Sequence, residues 1–234
     1  MSSLRTVRTR PRIIRTIARK DLLIEWNSRI LTNQVAPFAL VVMIMFAFAL
    51  DNEGILQRVA PGLVWLATLF SMLVIVQRSF AVETSDGALD ALRVAGVSSS
   101  GIFFGKSLAL MVQLFILQAV LMAVALVLYN VEISGWGVVE ALVTMVAATC
   151  GLGFVGTLYG GLAAGARGRE TLLPLLLLPV VAPVLIGATR ATEAAFGAAG
   201  TELSEGWPWI GLLAVFAVVF GAVGSIAFGP LVDE

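Results

Sequence analysis

The sequence predicts an all-α membrane protein with six transmembrane helices, an N-terminal amphipathic interfacial helix and a short cytoplasmic coupling helix between helices 2 and 3. Three observations lead there. First, 59% of the 234 residues are hydrophobic and 13% charged, against roughly 45–50% and about 25% in a soluble domain. Second, apolar runs recur at Leu31–Leu50, Pro61–Val76, Ile102–Leu128, Val138–Ala164, Thr171–Thr189 and Trp207–Phe228, near the roughly 20 residues that cross hydrocarbon. Third, the 15 Lys and Arg residues sort by side. Eight precede the first run, three (Arg78, Arg93, Lys106) lie in or beside the second connection, and Arg167 and Arg169 occupy the fourth. Only Arg58 and Arg190 fall in the odd-numbered connections. Positive charge stays cytoplasmic during insertion, so both termini are expected inside. Asp51, Glu53, Glu132, Glu140, Glu193, Glu202 and Glu205 gather toward the opposite side.

The N-terminal 30 residues carry eight positive charges and no short apolar run with a cleavage site, so they do not read as a cleaved signal peptide. Within them Pro11–Arg29 reads as an amphipathic helix. Ile13, Ile14, Ile17 and Ile24 share one face, and Arg12, Arg15 and Arg19 another. Such a helix suits the inner headgroup layer; a basic stretch that merely fixes topology is a compatible reading. Domain bounds follow: 1–30 a basic cytoplasmic or interfacial helix, 31–229 the six-helix membrane domain, and 230–234 a cytoplasmic tail.

The first run carries Pro37 near its start, and the short Asp51–Ala60 connection makes segments one and two an outward hairpin. Segment two opens at Ala60-Pro61-Gly62, with proline placed in the first turn, where its missing N–H has no partner to lose. The connection at about 80–101 is expected to form a short helix. Thr84 or Ser85 caps it, Asp86 sits in its first turn, Leu89 and Leu92 share a face, and Gly96 stops it. It reads either as a helix lying at the interface or as a peg offered to a soluble partner.

Tyr129 and Trp136 suit the outer interface between segments three and four. Segment four is rich in glycine. Gly156 and Gly160 are four apart, as are Gly161 and Gly165, and Gly101 with Gly105 repeats the spacing before segment three. Small residues at this period let helix backbones approach. Packing within the bundle is the adopted reading, and a dimer seam the alternative. Segment five holds Pro174, Pro179 and Pro183. Each removes a backbone hydrogen bond, so this helix is expected to be buried or to line a cavity, either as a kinked pathway element or as a bent structural one. After the outer Arg190–Gly206 segment, Trp207-Pro208-Trp209 anchors segment six.

No catalytic site is expected, and the chain does not read as an enzyme. It has no histidine and one cysteine, Cys150, so Ser–His, Cys–His and zinc arrangements are out of reach. No phosphate-cradling loop followed by Lys-Ser/Thr occurs. Glu140 is the one acid within a run, near its outer end, which argues against an ion-coupled carrier. What remains is a membrane bundle without an engine, expected to draw on a separate ATP-hydrolysing subunit.

Three stretches narrow the family. They are Ala60-Pro61-Gly62-Leu63-Val64-Trp65, the run from Phe80 to Leu92, and Leu178-Pro179-Val180-Val181-Ala182-Pro183-Val184-Leu185-Ile186. In this order they resemble the CcmB family, haem exporter protein B, from about Ile13 to Phe228. In the middle stretch Phe80, Glu83, Asp86, Gly87, Leu89, Asp90 and Leu92 fill the family pattern, with Glu and Asp exchanged at two places. Gln77 departs from it, standing where the family often has an acid. The resemblance implies that those seven residues couple the chain to an ATPase. It implies two copies of this chain with two ATPase subunits holding ATP, in the inner membrane. A haem-handling membrane protein, a small single-span protein and a periplasmic haem chaperone complete the implied assembly. No cofactor is expected on this chain itself. Haem enters as transported ligand or in the partners, because without histidine there is no axial imidazole here. The implied work is moving haem or driving release of haem-loaded chaperone. A permease for lipid, drug or polysaccharide efflux, or a scaffold relaying ATPase motion, are the alternatives.

Overall fold

The computed structural model describes residues 11–50, 52–85, 97–164 and 169–233. The helices are α1 (Pro11–Ser28), α2 (Ala36–Ala49), α3 (Glu53–Ser85), α4 (Ser99–Leu128), α5 (Gly135–Ala164), α6 (Arg169–Phe196) and α7 (Gly206–Asp233). A single π turn (Leu31–Val35) leads into α2, and two short 3₁₀ turns (Ala198–Gly200 and Leu203–Glu205) join α6 to α7. Six segments are long and apolar enough to cross a membrane: Leu31–Ala49, Gly54–Ala81, Ser99–Leu128, Gly135–Ala164, Thr171–Phe196 and Leu203–Pro230. The chain is therefore a multi-pass, all-helical membrane protein.

The helices outrun the apolar runs. The connection expected at Asp51–Ala60 is mostly helix, because Asn52 Oδ1 accepts the Ile55 N–H at 3.2 Å and starts α3 early. Pro61 then stands inside α3 rather than in its first turn, and its ring denies the Gln57 carbonyl a partner. The fifth span likewise runs on to Phe196, with Arg190 and Glu193 paired at 2.8 Å in its last turns. Asp86, Gly87, Leu89, Asp90, Leu92 and Gly165 lie outside the described residues.

The glycine-rich helix is the hub. α5 packs on α7, α6, α4 and α3. A Cβ at Gly156 would meet Met72 and Leu110, and one at Gly160 would lie 2.5 Å from the Phe80 ring. At Gly161 it would meet Phe228, at Gly151 Phe216, and at Gly153 Met111. Large side chains of three helices, α3, α4 and α7, thus occupy the space α5 leaves empty, which is how close packing is reached without a hydrophobic drive between spans. The same device seats α1. Gly101 faces Ile13 and Gly105 faces Ile17, so α1 runs alongside α4 in the same chain direction with its isoleucine face inward.

Several polar side chains inside the bundle are paired across helices, while Thr68, Ser71 and Thr157 donate to carbonyls of their own helices. The Trp65 indole N–H donates to Thr192 Oγ1 at 2.9 Å, the Thr149 hydroxyl to Gln118 Oε1 at 2.8 Å, and the Tyr129 hydroxyl to the Met43 carbonyl at 2.9 Å. The outward faces of α2 (Phe38, Met45, Phe48) and α7 (Val215, Val218, Ile226) are exposed apolar surface, as lipid contact requires.

The proline helix differs from expectation. Leu173, Leu177, Val181, Val184 and Ala188 form its buried stripe, whereas Pro179 and Pro183 lie on the exposed face and Pro174 is half-buried. The rings sit where no neighbouring helix competes for space, so α6 accepts them without being enclosed.

Gly160→Leu should destabilise the protein by about 1–3 kcal/mol through overpacking against Phe80. Gly211→Leu, where a side chain meets nothing within 4 Å, should stay within about 0.5 kcal/mol. Unfolding in detergent, followed by tryptophan fluorescence, measures the difference.

Candidate functional site

Lys106 lies in the third turn of α4, in a sequence otherwise apolar on both sides, and is only 3% exposed. A buried ammonium must be paired or it costs several kcal/mol. Two helices, α1 and α3, supply partners among the described residues. Asp21 of α1, itself buried, places Oδ2 3.2 Å from Nζ. Ser79 Oγ of α3 accepts at 3.3 Å. The Phe80 ring lies beneath, its centroid 4.6 Å from Nζ, a cation–π contact of the desolvated kind. Lys20 adds a second cation to Asp21 at 3.1 Å.

This junction sits at one end of the membrane. Along α4, Lys106 and Tyr129 are about 35 Å apart at 1.5 Å per residue, slightly more than the roughly 30 Å hydrocarbon layer. Lys106 therefore marks the border on the basic side. It also holds the α3 end of the expected coupling segment, because Ser79 and Phe80 lie in the last two turns of α3, which runs to Ser85. Phe80 is buried and pressed on Gly160 of α5. Asp21, Lys106, Phe80 and Gly160 thus join α1, α4, α3 and α5 in one line of contact. Of the seven residues expected to couple to an ATPase, Phe80 is this inward anchor, Glu83 falls in the last turn of α3, and the other five lie outside the described residues.

The turn between α1 and α2 is part of the same region. Arg29 adopts a left-handed φ of 52°, which ends α1, and the Glu25 carboxylate receives the Leu31 N–H exposed by the turn. Arg78 of α3 donates to Gln34 Oε1 at 3.0 Å. Between these elements lies a cavity of about 190 Å³ whose walls include Asp21, Glu25, Arg78, Ser79 and Gln113.

A second buried acid lies toward the other side. Glu140 of α5 is 1% exposed and neither carboxylate oxygen has a hydrogen-bond partner; Thr144 Oγ1, one turn on, is likewise unpartnered. Gly206, the first residue of α7, leaves the space that the Glu140 carboxylate fills. Among the described residues no cluster of three or more Cys, Asp or Glu is placed to hold a metal ion.

Sequence reasoning reached Phe80 and the glycines but missed the pairing of Asp21 with Lys106. The signal was present: at 100° per residue Asp21 falls on the isoleucine face of α1, between Ile17 and Ile24. An acid on a buried face demands a buried cation, and Lys106 is the lysine within an apolar run.

A family model described as CcmB protein matches residues 12–233. The chain belongs to the CcmB family. Its relatives include the heme exporter protein B of Haemophilus influenzae, 28% identical over 194 residues (82% of each chain). That of Rhodobacter capsulatus is 33% identical over 167 residues, covering 69% of this chain and 74% of the relative. That of Pseudomonas aeruginosa is 28% identical over 213 residues, covering 86% and 89%. The family match takes in every residue of the junction, from Asp21 in α1 to Gly160 in α5.

Lys106→Met should cost about 3 kcal/mol, because it strands Asp21 in a buried site with Lys20 alone. Adding Asp21→Asn should restore part of that loss. A double-mutant cycle on unfolding in detergent would show a coupling above about 1 kcal/mol; additive effects would mean the two side chains act independently.

Proposed function

We propose that this chain is the permease subunit of an ATP-driven transporter serving cytochrome c maturation, either moving haem or driving release of haem-loaded chaperone to the periplasmic side. The family match over residues 12–233 carries this reading, together with relatives named heme exporter protein B. The work comes from a separate ATPase, in two copies with two copies of this chain. The sorting of Lys and Arg supports an inner-membrane orientation with both termini cytoplasmic, which puts the Lys106 junction and residues 86–96 on the ATPase side.

Under that reading the junction has a mechanical role. A push delivered to the segment following Phe80 reaches α4 and α1 through Lys106, and α5 through Gly160, because the contacts are buried and incompressible. Strong haem ligation belongs to partners, since the sequence has no histidine. The haem-handling membrane protein, the single-span protein and the periplasmic chaperone are the proposed sites of that chemistry.

Replacing Leu89 and Leu92 together by Asp should uncouple the ATPase without preventing membrane insertion, because each buried Leu contributes roughly 1.5–3 kcal/mol to docking. In a strain deleted for this gene, c-type cytochromes should be absent while other membrane haem proteins persist. The wild-type gene should restore them and the double variant should not. Restoration by the double variant, with the ATPase still co-purifying, would remove this segment as the contact.

A further inference from the structure

The arginine face of α1 borders an open groove against α4. The groove has a volume of about 450 Å³, and its walls include Arg15, Arg19, Leu22 and Trp26 of α1 and Leu108 and Val112 of α4. Its two ends differ in character. α1 runs alongside α4 in the same chain direction, and Asp21 meets Lys106 at the border of the hydrocarbon layer. Residues before Asp21 therefore lie on the water side of that border, and Leu22 and Trp26 on the lipid side. At 1.5 Å per residue, Arg19 and Arg15 stand about 3 and 9 Å beyond it, the depth of a headgroup layer roughly 5–8 Å thick. Both are exposed. Among the described residues neither guanidinium has a hydrogen bond or an ion pair, and no acid lines the groove. The two acids of α1 are engaged elsewhere, Asp21 with Lys106 and Glu25 with the Leu31 N–H.

The apolar floor continues past the groove. Leu108 is exposed, Val112 half-buried, and Ile116 and Val120 exposed. At their spacing of four they climb the outer side of α4 for about 18 Å, close to the roughly 15 Å of hydrocarbon in one leaflet. Trp26, 78% exposed, walls the groove where this track begins. A soluble anion would satisfy the arginines and leave the track bare. A zwitterionic lipid would cover the track but bring its own cation to the two guanidiniums. We propose that the groove between α1 and α4 holds an anionic phospholipid, its phosphate on Arg15 and Arg19 and an acyl chain along Leu108, Val112, Ile116 and Val120. Bound there, the lipid clasps α1 to α4 on the side away from the Asp21–Lys106 pair.

Native mass spectrometry of the full-length protein in mild detergent tests this, with phosphatidylglycerol and phosphatidylcholine of the same acyl chains offered in equal amounts. Each arginine near an anionic head contributes about fivefold in affinity, so phosphatidylglycerol should be retained about 25-fold over phosphatidylcholine. Arg15→Gln or Arg19→Gln should lower that preference to about fivefold, and the double variant should abolish it. Arg58→Gln, which removes the same charge beside Asn130 at the other end of the bundle, should leave it unchanged. Leu108→Trp fills the groove with both arginines in place, so retention of phosphatidylglycerol should fall to that of phosphatidylcholine. Equal retention of the two lipids by the wild type would overturn the proposal. So would a preference that survives loss of both arginines, or an equal drop in Arg58→Gln, which would make the effect one of net charge. An unchanged preference in Leu108→Trp would overturn it as well, and this variant decides where the arginine variants fail to fold. Displacement of the lipid by soluble glycerol phosphate would make the occupant a soluble anion and likewise overturn it.

Discussion

One buried positive charge organises the basic end of this protein. Lys106 cannot remain in its site unless Asp21 comes to it, and Asp21 is carried by a helix outside the six spans. The ion pair therefore makes α1 a member of the bundle, laid on α4 through its isoleucines, while its arginines keep the amphipathic character read from the sequence. Ser79 and the Phe80 ring complete the enclosure from α3. Removing α1 would take Asp21 from Lys106, and removing α4 would leave Asp21 with Lys20; breaking such a buried pair costs several kcal/mol. The positions of α1, α3 and α4 are thus mutually determined where an external force would be applied.

The second constraint is spatial. α5 has given up side chains along several faces, and its neighbours have filled the vacancy with Met72, Phe80, Met111, Phe216 and Phe228. Phe80 belongs to both systems, held by a cation on one side and by a glycine helix on the other. The bundle is in this sense keyed: large residues on the outer helices fit absences on the central one. Packing of this kind specifies helix order, because a glycine face without its aromatic partner leaves a void.

Much of this architecture was legible in the residues. Six runs gave six spans, and the glycine spacing identified the helix that others approach. The periodic signals succeeded because burial repeats along a helix. What escaped notice were features defined by contact between distant positions. Asp21 and Lys106 are separated by 85 residues, and although each stands among apolar neighbours, nothing in the local sequence of either names the other as its partner. The early start of α3 escaped because a lone Asn52 cap outweighs the polar residues that follow it. The prolines of α6 suggested enclosure, but only the three-dimensional packing reveals which way they face. The paired absence of partners at Glu140 and Thr144 is likewise invisible until α7 closes over them.

The distance in sequence between Asp21 and Lys106 also dictates an order of biogenesis. The aspartate leaves the ribosome well before the lysine exists. At about 5–20 residues per second, the N-terminal helix waits on the order of 4–17 s before its counter-ion is made. During that interval Asp21 has to stay hydrated at the membrane surface, with its isoleucine neighbours only provisionally housed. The last step in seating the first helix therefore belongs to the middle of translation, and the nascent chain must hold its beginning open until its third span has arrived.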